Sequence, residues 1–197
     1  MVRTIAKDHG QKRLHILKTA ARVFAAEGYA RASMAQIAVA CGISKANIYH
    51  YYASKDALLF DILDTYLSEL RDRLCGLEEG GDAQARLGQF TREALLAYEG
   101  MDAEHKIQAE GLPRLPAAQQ AVLKAYQREM VEKLNRILLD LAPETLGADA
   151  QKLRATTMSV FGMLNWFYMW NPGADRAARD AYAGQVAALT HGGVRGV

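Results

Sequence analysis

The stretch that decides the fold is SMAQIAVACGISKANIYHYYASKDAL, residues 33–58. It reads as two short helices joined by a tight turn, followed by the start of a third. Ser33 can cap the first helix, and Gln36 can complete a capping box with it. Gly42 suits the turn because it tolerates a positive φ, and Ser44 can cap the second helix. This spacing predicts a DNA-reading helix-turn-helix, with an ordinary helical hairpin as the alternative.

The second helix of the motif carries the residues that would read DNA. Ile48 and Tyr51 are expected to point inward, and a polar face that begins at Ser44 lies opposite. Lysine can donate to guanine, asparagine suits adenine, and the alanine methyl can meet a thymine methyl. We therefore expect base contacts from Lys45, Ala46, Asn47 and His50, and we expect Ser44 at the start of this helix to belong to the DNA-binding residues as well.

Residues 48–58, IYHYYASKDAL, closely resemble the hallmark of the TetR family of bacterial repressors. That hallmark runs hydrophobic-Tyr-x-His/Tyr-Phe-x-Ser/Asn-Lys-Asp/Glu-x-Leu, and this sequence departs from it mildly, with Tyr52 where Phe is usual. The resemblance begins upstream, over residues 24–29, and implies a DNA-binding bacterial regulator. It also implies three phosphate contacts: Ser33, Tyr49 and Lys55.

Charge is distributed unevenly along the 197 residues. Residues 1–55 hold nine Lys and Arg against two acidic residues, a net charge of +7, whereas the rest holds 15 basic and 20 acidic residues, a net of −5. A basic head on an acidic body indicates a polyanion partner for the head.

Two cysteines in no metal-ligand spacing predict neither a disulfide framework nor a metal site. No apolar run has the length of a membrane span and no signal peptide is recognisable, so we expect a cytoplasmic protein without a membrane partner.

Apolar residues at helical spacing, interrupted by glycine and proline, predict an all-α fold of about nine helices. We expect a helix-turn-helix DNA-binding domain over residues 1–54 and a ligand-binding and dimerisation domain over residues 55–197. The first helix is expected from Gln11, after a mobile arm in which Arg3 and Lys7 can reach phosphate.

The predicted helix 149–170 is apolar nearly all round in its second half. It is too short and too polar in places for a membrane, so one side can face its own core while the other needs a partner. One helix-turn-helix covers few base pairs, and useful affinity needs two of them about 34–36 Å apart. We therefore expect a homodimer through 149–170 and 175–189, packed as a four-helix bundle, which is also where TetR-type proteins dimerise.

Aromatic residues with a few polar groups predict an apolar effector cavity in the body, with plain core packing as the alternative. The candidates are Tyr66, Phe90, Tyr98, Tyr126, Met130, Phe161, Asn165 and Trp166, with Arg71 as a cation for phosphate. Residues 162–173, GMLNWFYMWNPG, resemble a segment of TetR members that govern fatty-acid, steroid and phenylacetate breakdown. Those regulators generally respond to coenzyme A thioesters, which implies an effector of this class and no resident cofactor.

Three functions compete at this point. The first is a dimeric repressor that an acyl-CoA or aryl-CoA thioester, favoured to be of the phenylacetyl-CoA type, releases from a palindromic operator. The second is the same repressor responding to a lipophilic drug or other hydrophobe. The third is a helical acyl-CoA enzyme built on Glu104, His105 and Glu110. The sequence has no nucleophile motif, metal-ligand spacing or phosphate loop, so we expect a protein that is not an enzyme.

Overall fold

The structure is a computed structural model that describes the backbone of residues 2–194 and the side chains of residues 9–194. Within this part of the chain the predicted all-α fold is confirmed, with ten α-helices, one 3-10 turn and no strand. The helices are α1 (Val2–Glu27), α2 (Met34–Ala40), α3 (Lys45–Tyr51), α4 (Lys55–Cys75), α5 (Ala83–Ala97), α6 (Asp102–Gly111), α7 (Ala117–Leu141), α8 (Pro143–Leu146), α9 (Ala150–Trp170) and α10 (Arg176–Gly193). The 3-10 turn spans Leu112–Arg114. No helix among these described residues is both long and apolar enough to cross a membrane.

Two helices differ from the sequence prediction. The first begins at Val2 and not at Gln11, so no irregular arm precedes it within the described residues. A helix that has already nucleated gains one hydrogen bond for each added residue, and this extension needs no buried stripe. The side chains of Arg3 and Lys7 lie outside the described part of the structure. The four-residue α8, with Pro143 in its first turn, is the additional helix.

The chain divides into two compact units, one of Met1–Tyr66 with Ala103–Leu123 and one of Leu67–Asp102 with Lys124–Val197. The predicted DNA-binding domain, residues 1–54, lies within the first unit. That unit also contains the start of α4, most of α6 and the start of α7. The assignment of functions to the two predicted domains stays a prediction.

The core of the first unit forms around α2, which packs against both α1 and α3. Phe24 on α1, Ile37 on α2 and Ile48 on α3 are at most 1 % exposed. Ala38 is also buried, and its small side chain lets α3 cross α2 closely.

The core of the second unit forms around α5, which packs mainly against α10 and also against α9. Leu87, Leu95 and Val186 have no exposed surface. The buried Thr91 hydroxyl on α5 donates to the carbonyl of Ala183 on α10 at 3.1 Å, so this buried polar side chain is satisfied.

Candidate functional site

The first helix of the motif begins with a reciprocal pair of hydrogen bonds. The Ser33 hydroxyl accepts from the backbone N–H of Gln36 at 3.2 Å, and the Gln36 side-chain oxygen accepts from the Ser33 N–H at 2.9 Å. The predicted capping box is therefore present, and it satisfies two N–H groups that helix geometry leaves without a partner. Ser33 is exposed, and its predicted phosphate contact stays a prediction.

The turn between the two helices is a Schellman motif centred on Gly42. Its φ of 68° is the left-handed conformation that favours glycine, as the sequence predicts. The Gly42 N–H donates to the carbonyl of Val39, and the Ile43 N–H donates to the carbonyl of Ala38, both at 3.0 Å. These two backbone bonds close the end of α2 and fix where α3 begins.

The second helix, α3, presents one polar face to solvent. Its N-cap is Ser44, whose hydroxyl accepts from the Asn47 N–H at 3.1 Å, and Ile48 anchors the inner side with no exposed surface. Tyr51, predicted to point inward, is half-buried and stacks on the His9 ring with 4.9 Å between centroids. The predicted DNA-contacting residues of this helix are all exposed: Lys45, Ala46, Asn47, Tyr49 and His50.

Lys55, predicted to contact phosphate, makes contacts within the protein. Its ammonium group donates to the carbonyls of Tyr29 at 2.8 Å and Ala32 at 2.9 Å, with the carbonyl of Ala30 at 3.3 Å. The same group lies 4.5 Å from the centroid of the Tyr29 ring. Lys55 thus ties the connection between α1 and α2 to the start of α4, and its phosphate contact stays a prediction. The sequence contains no local sign of these carbonyls because they lie 23 to 26 positions away.

The sequence did not predict a polar cluster next to α3, which is formed by Arg13, Tyr52 and Asp61. Asp61 on α4 accepts hydrogen bonds from the Arg13 guanidinium, with Nε at 2.9 Å, and from the Tyr52 hydroxyl at 2.5 Å. Burial and then the hydrogen bond to Asp61 raise the pKa of Tyr52, so its phenol stays protonated and donates. The sequence feature that could have indicated this cluster is Tyr52 itself, because the family hallmark has Phe at this position.

Two pairs of predicted effector residues come together between α5 and α9. The Tyr98 hydroxyl donates to the side-chain oxygen of Asn165 at 2.8 Å. Burial raises the pKa of Tyr98, which keeps the phenol neutral. Phe90 meets Phe161 edge to face, with 6.0 Å between ring centroids. The second unit therefore holds a mixed polar and aromatic cluster, the kind of lining that small-molecule sites use.

The other effector candidates are distributed differently. Arg71 pairs with Glu129 at 3.0 Å and lies 4.8 Å from the Tyr126 ring centroid, so its charge is already balanced. Met130 is buried in the second unit. Tyr66 belongs to the first unit, where its hydroxyl lies 2.8 Å from His105 Nδ1.

Trp166 lies apart from the interior cluster, and its predicted place in the cavity lining stays a prediction. It is 61 % exposed, although its neighbour Asn165 bonds to a buried tyrosine. One step along an α-helix turns the side chain by about 100°, so adjacent residues face different surroundings. The exposed large apolar residues on α9 and α10 are Met158, Trp166, Met169, Trp170 and Leu189.

The three residues of the alternative enzyme hypothesis lie in different surroundings. Glu104 is buried, Glu110 is exposed, and His105 is engaged by the Tyr66 hydroxyl. Among the described residues, no group of three or more His, Cys, Asp or Glu side chains is arranged to hold a metal ion.

Comparisons with known proteins match both parts of the chain. The family described as bacterial regulatory proteins, tetR family, matches residues 16–62, and the family described as tetracyclin repressor-like, C-terminal domain, matches residues 80–194. MftR, a transcriptional regulator of Mycobacterium tuberculosis, is 34 % identical over 116 residues, which are 59 % of this chain and 56 % of the relative. A second relative, the regulator YuxN of Bacillus subtilis, is 28 % identical over 134 residues, which are 65 % of this chain and 45 % of the relative. The chain thus spans about half the length of these curated relatives.

Solved structures resemble the chain over more of its length. A TetR-family transcriptional regulator from Bordetella parapertussis is 34 % identical with a TM-score of 0.84, over 90 % of this chain and 93 % of that one. AibR, solved in complex with isovaleryl coenzyme A and operator DNA, is 25 % identical with a TM-score of 0.75, over 90 % of this chain and 97 % of that one.

Proposed function

Because the chain belongs to the TetR family of bacterial transcriptional regulators, we propose that it is a dimeric repressor whose operator is a palindrome and whose effector is a coenzyme A thioester. TetR-type repressors bind operator DNA and respond to small molecules, and the family match supports the same role for this chain. The palindrome, the dimer and the thioester, with the phenylacetyl type favoured, are the steps that go beyond family membership.

The observation that carries the DNA-binding part is the exposed face of α3. Both ends of this helix are fixed, by the Ser44 cap and by the hydrogen bond from the Tyr52 N–H to the Ile48 carbonyl at 2.9 Å. The face between them offers an ammonium group, an amide and an imidazole, which are the donors and acceptors that read base edges in a major groove. A fixed helix with a free polar face is what direct readout requires.

Tyr49 gives a direct test of the phosphate contacts. Its side chain is 46 % exposed on the same face. Replacing Tyr49 by Ala is expected to weaken binding by about 10-fold on operator and random duplex alike, because a phosphate contact carries no sequence information. Fluorescence anisotropy at one stated salt concentration measures both affinities. His50→Ala is the comparison variant, and it should relax the preference at one base position. An unchanged affinity for Tyr49→Ala would remove this tyrosine from the contact set.

The dimer is supported by the unpartnered apolar face of α9. Trp166, Met169 and Trp170 are each more than half exposed. Exposed apolar patches of this kind mark association surfaces in soluble proteins, and a second copy of the same helices offers a matching surface. Two copies joined through α9 and α10 would supply the two recognition helices that a palindromic operator needs.

The thioester is supported by the cluster in the second unit and by one relative. The pair Tyr98 and Asn165 offers polar groups for a thioester carbonyl, and the rings of Phe90 and Phe161 suit an acyl or aryl group. AibR, which has a similar fold, was solved with isovaleryl coenzyme A. Arg71 would have to exchange Glu129 for a phosphate of coenzyme A in order to bind it.

The effector class is tested by titrating the protein–operator complex with phenylacetyl-CoA, long-chain acyl-CoAs, the free acids and coenzyme A alone. Release by one thioester and not by its free acid is the expected result. Tyr98→Phe should raise the thioester concentration needed for release by about 5- to 10-fold, the effect of one lost hydrogen bond. Release by lipophilic cations and by no thioester would replace the proposed effector with a hydrophobic drug.

A further inference from the structure

We infer that Asp61 is a positioning residue for DNA recognition, which acts with Tyr52 and Arg13 to hold α3 at the angle needed to read bases. The inference rests on the DNA-binding function and adds to it the residues that orient the reading helix. None of the three belongs to the predicted DNA-contacting set, so they would act through α3 and not by touching DNA.

The cluster joins three helices through one carboxylate. Asp61 on α4 accepts from Arg13 on α1 with both oxygens, Nε reaching Oδ2 at 2.9 Å and Nη2 reaching Oδ1. The Tyr52 hydroxyl donates to the same Oδ2 at 2.5 Å. Arg13 Nη2 also donates to the Thr65 hydroxyl at 3.3 Å, one turn further along α4. The carboxylate is therefore held from two sides, by α1 and by the end of α3.

Tyr52 is placed to control the angle of α3. It is the C-cap residue of this seven-residue helix, and it is only 7 % exposed. A helix of about two turns is roughly 10 Å long, so a small shift at its C-cap moves every side chain on its face. At the other end of the helix, the Ser44 hydroxyl accepts from the Asn47 N–H, which is a local contact within α3. Asp61 therefore links the C-terminal end of α3 to α4, in addition to the contact that Tyr51 makes with His9 on α1.

The chemistry of the cluster suits a role in orienting α3 better than a role in raising the free energy of unfolding. Arg13 and Asp61 have side chains that are 39 % and 22 % exposed, and partly exposed ion pairs stabilise a fold only weakly. The bidentate contact between Arg13 and Asp61 and the hydrogen bond from the Tyr52 hydroxyl nevertheless fix how these side chains are oriented. Bidentate and charge-assisted hydrogen bonds are geometrically demanding. Loss of the hydroxyl should therefore change the orientation of α3 more than the free energy of unfolding.

Tyr52→Phe is the variant that removes this hydroxyl alone. The family hallmark carries Phe at this position, so the ring of the variant suits the fold. A matched control is Tyr29→Phe, because the Tyr29 hydroxyl also donates to a carboxylate on α4, that of Asp56, without involving α3. The set is completed by Asp61→Asn and the double variant Tyr52→Phe with Asp61→Asn.

The readout is the ratio of two dissociation constants, one for an operator selected by the unaltered protein and one for a scrambled duplex of equal length. A variant that merely unfolds in part changes both constants equally and leaves their ratio unchanged. We expect Tyr52→Phe and Asp61→Asn each to reduce the ratio by about 10-fold, the scale of one hydrogen bond to a charged group. The double variant should lose no more than Asp61→Asn alone, because the two groups act as one unit. Tyr29→Phe should keep the ratio of the unaltered protein.

Two results would overturn the inference while leaving the repressor in place. One is a Tyr52→Phe protein that keeps the full ratio, and the other is a double variant whose loss equals the product of the two single losses. Circular dichroism of each variant checks that it folds. If Asp61→Asn does not fold, the ratio measured for Tyr52→Phe alone tests the inference. An unaltered protein that does not distinguish operator from scrambled duplex contradicts the DNA-binding function itself, and the inference with it.

Discussion

Replacing Trp166 by Glu is expected to give a monomer whose operator affinity is lower by about 100-fold or more. Trp166 lies 61 % exposed on α9, among other apolar side chains that include Met169 and Trp170. In a dimer through α9 the new carboxylate would be buried without a partner, which strongly opposes association. Losing the dimer also separates the two recognition helices, and linked binding of two modules exceeds the binding of one by about 10²- to 10⁴-fold.

Size-exclusion chromatography with light scattering measures the oligomeric state, and anisotropy on the operator duplex measures the affinity. Val122→Glu is the matched control, because Val122 is also an exposed apolar residue, 40 % accessible, but lies on α7. The control should stay dimeric and keep its affinity. A Trp166→Glu protein that remains a dimer with full affinity would remove α9 from the proposed interface.

Replacing Arg179 by Met is expected to lower the free energy of unfolding by about 3 kcal/mol. Arg179 on α10 is 1 % exposed, and its guanidinium donates to the carbonyls of Ala174 at 3.1 Å and Leu95 at 3.3 Å. Its Nη2 lies 3.6 Å from Oδ1 of Asp102. Methionine fills much of the volume but leaves two carbonyls and a carboxylate without their donor, and such unsatisfied groups are costly.

Arg92→Met is the matched control for this variant. Arg92 also pairs with a carboxylate on α10, Asp180 at 2.5 Å, but its side chain is 46 % exposed. Exposed pairs contribute about 0–1 kcal/mol, so this variant should unfold almost like the unaltered protein. Urea denaturation at one fixed protein concentration compares the two, since association would shift both curves. Equal losses for the two variants would show that Arg179 is not a buried anchor.

The helix-turn-helix could be predicted from the sequence because its determinants are local. Ser33 and Ser44 cap helices within three residues of themselves, and Gly42 ends α2 through bonds to that same helix. Capping and turn preferences act at this short range and are visible in any single sequence. The exposed polar face of α3 follows from the same spacing.

The residues that hold these helices together could not be predicted in the same way. Arg13 and Asp61 are 48 positions apart, and Arg179 and Leu95 are 84 apart. No local rule links such partners, because only the packed fold brings them within hydrogen-bond distance. A buried arginine also contradicts the usual preference of that residue for the surface, so composition alone gives no sign of Arg179.

The division of α9 into two faces was predictable only in part. Its hydrophobic sequence indicates burial on more than one side, and the structure shows which side stays exposed in a single chain. Asn165 and Trp166 are adjacent in sequence, yet one bonds to Tyr98 and the other is exposed. One step along the helix turns the side chain by about 100°, so these adjacent residues face different surroundings.

The most direct test of the central claim, that a dimer reads a palindrome with the exposed face of α3, is selection from a random duplex library. The unaltered protein is incubated with the library at stated salt, and bound duplexes are sequenced after several rounds. A dimer of this kind should enrich two inverted half-sites with centres about one helical turn, 34–36 Å, or a multiple of it apart. Asn47→Ala should change the preferred base at one position in each half-site. Enrichment of no sequence, or of a single half-site that Asn47→Ala leaves unchanged, would contradict the central claim.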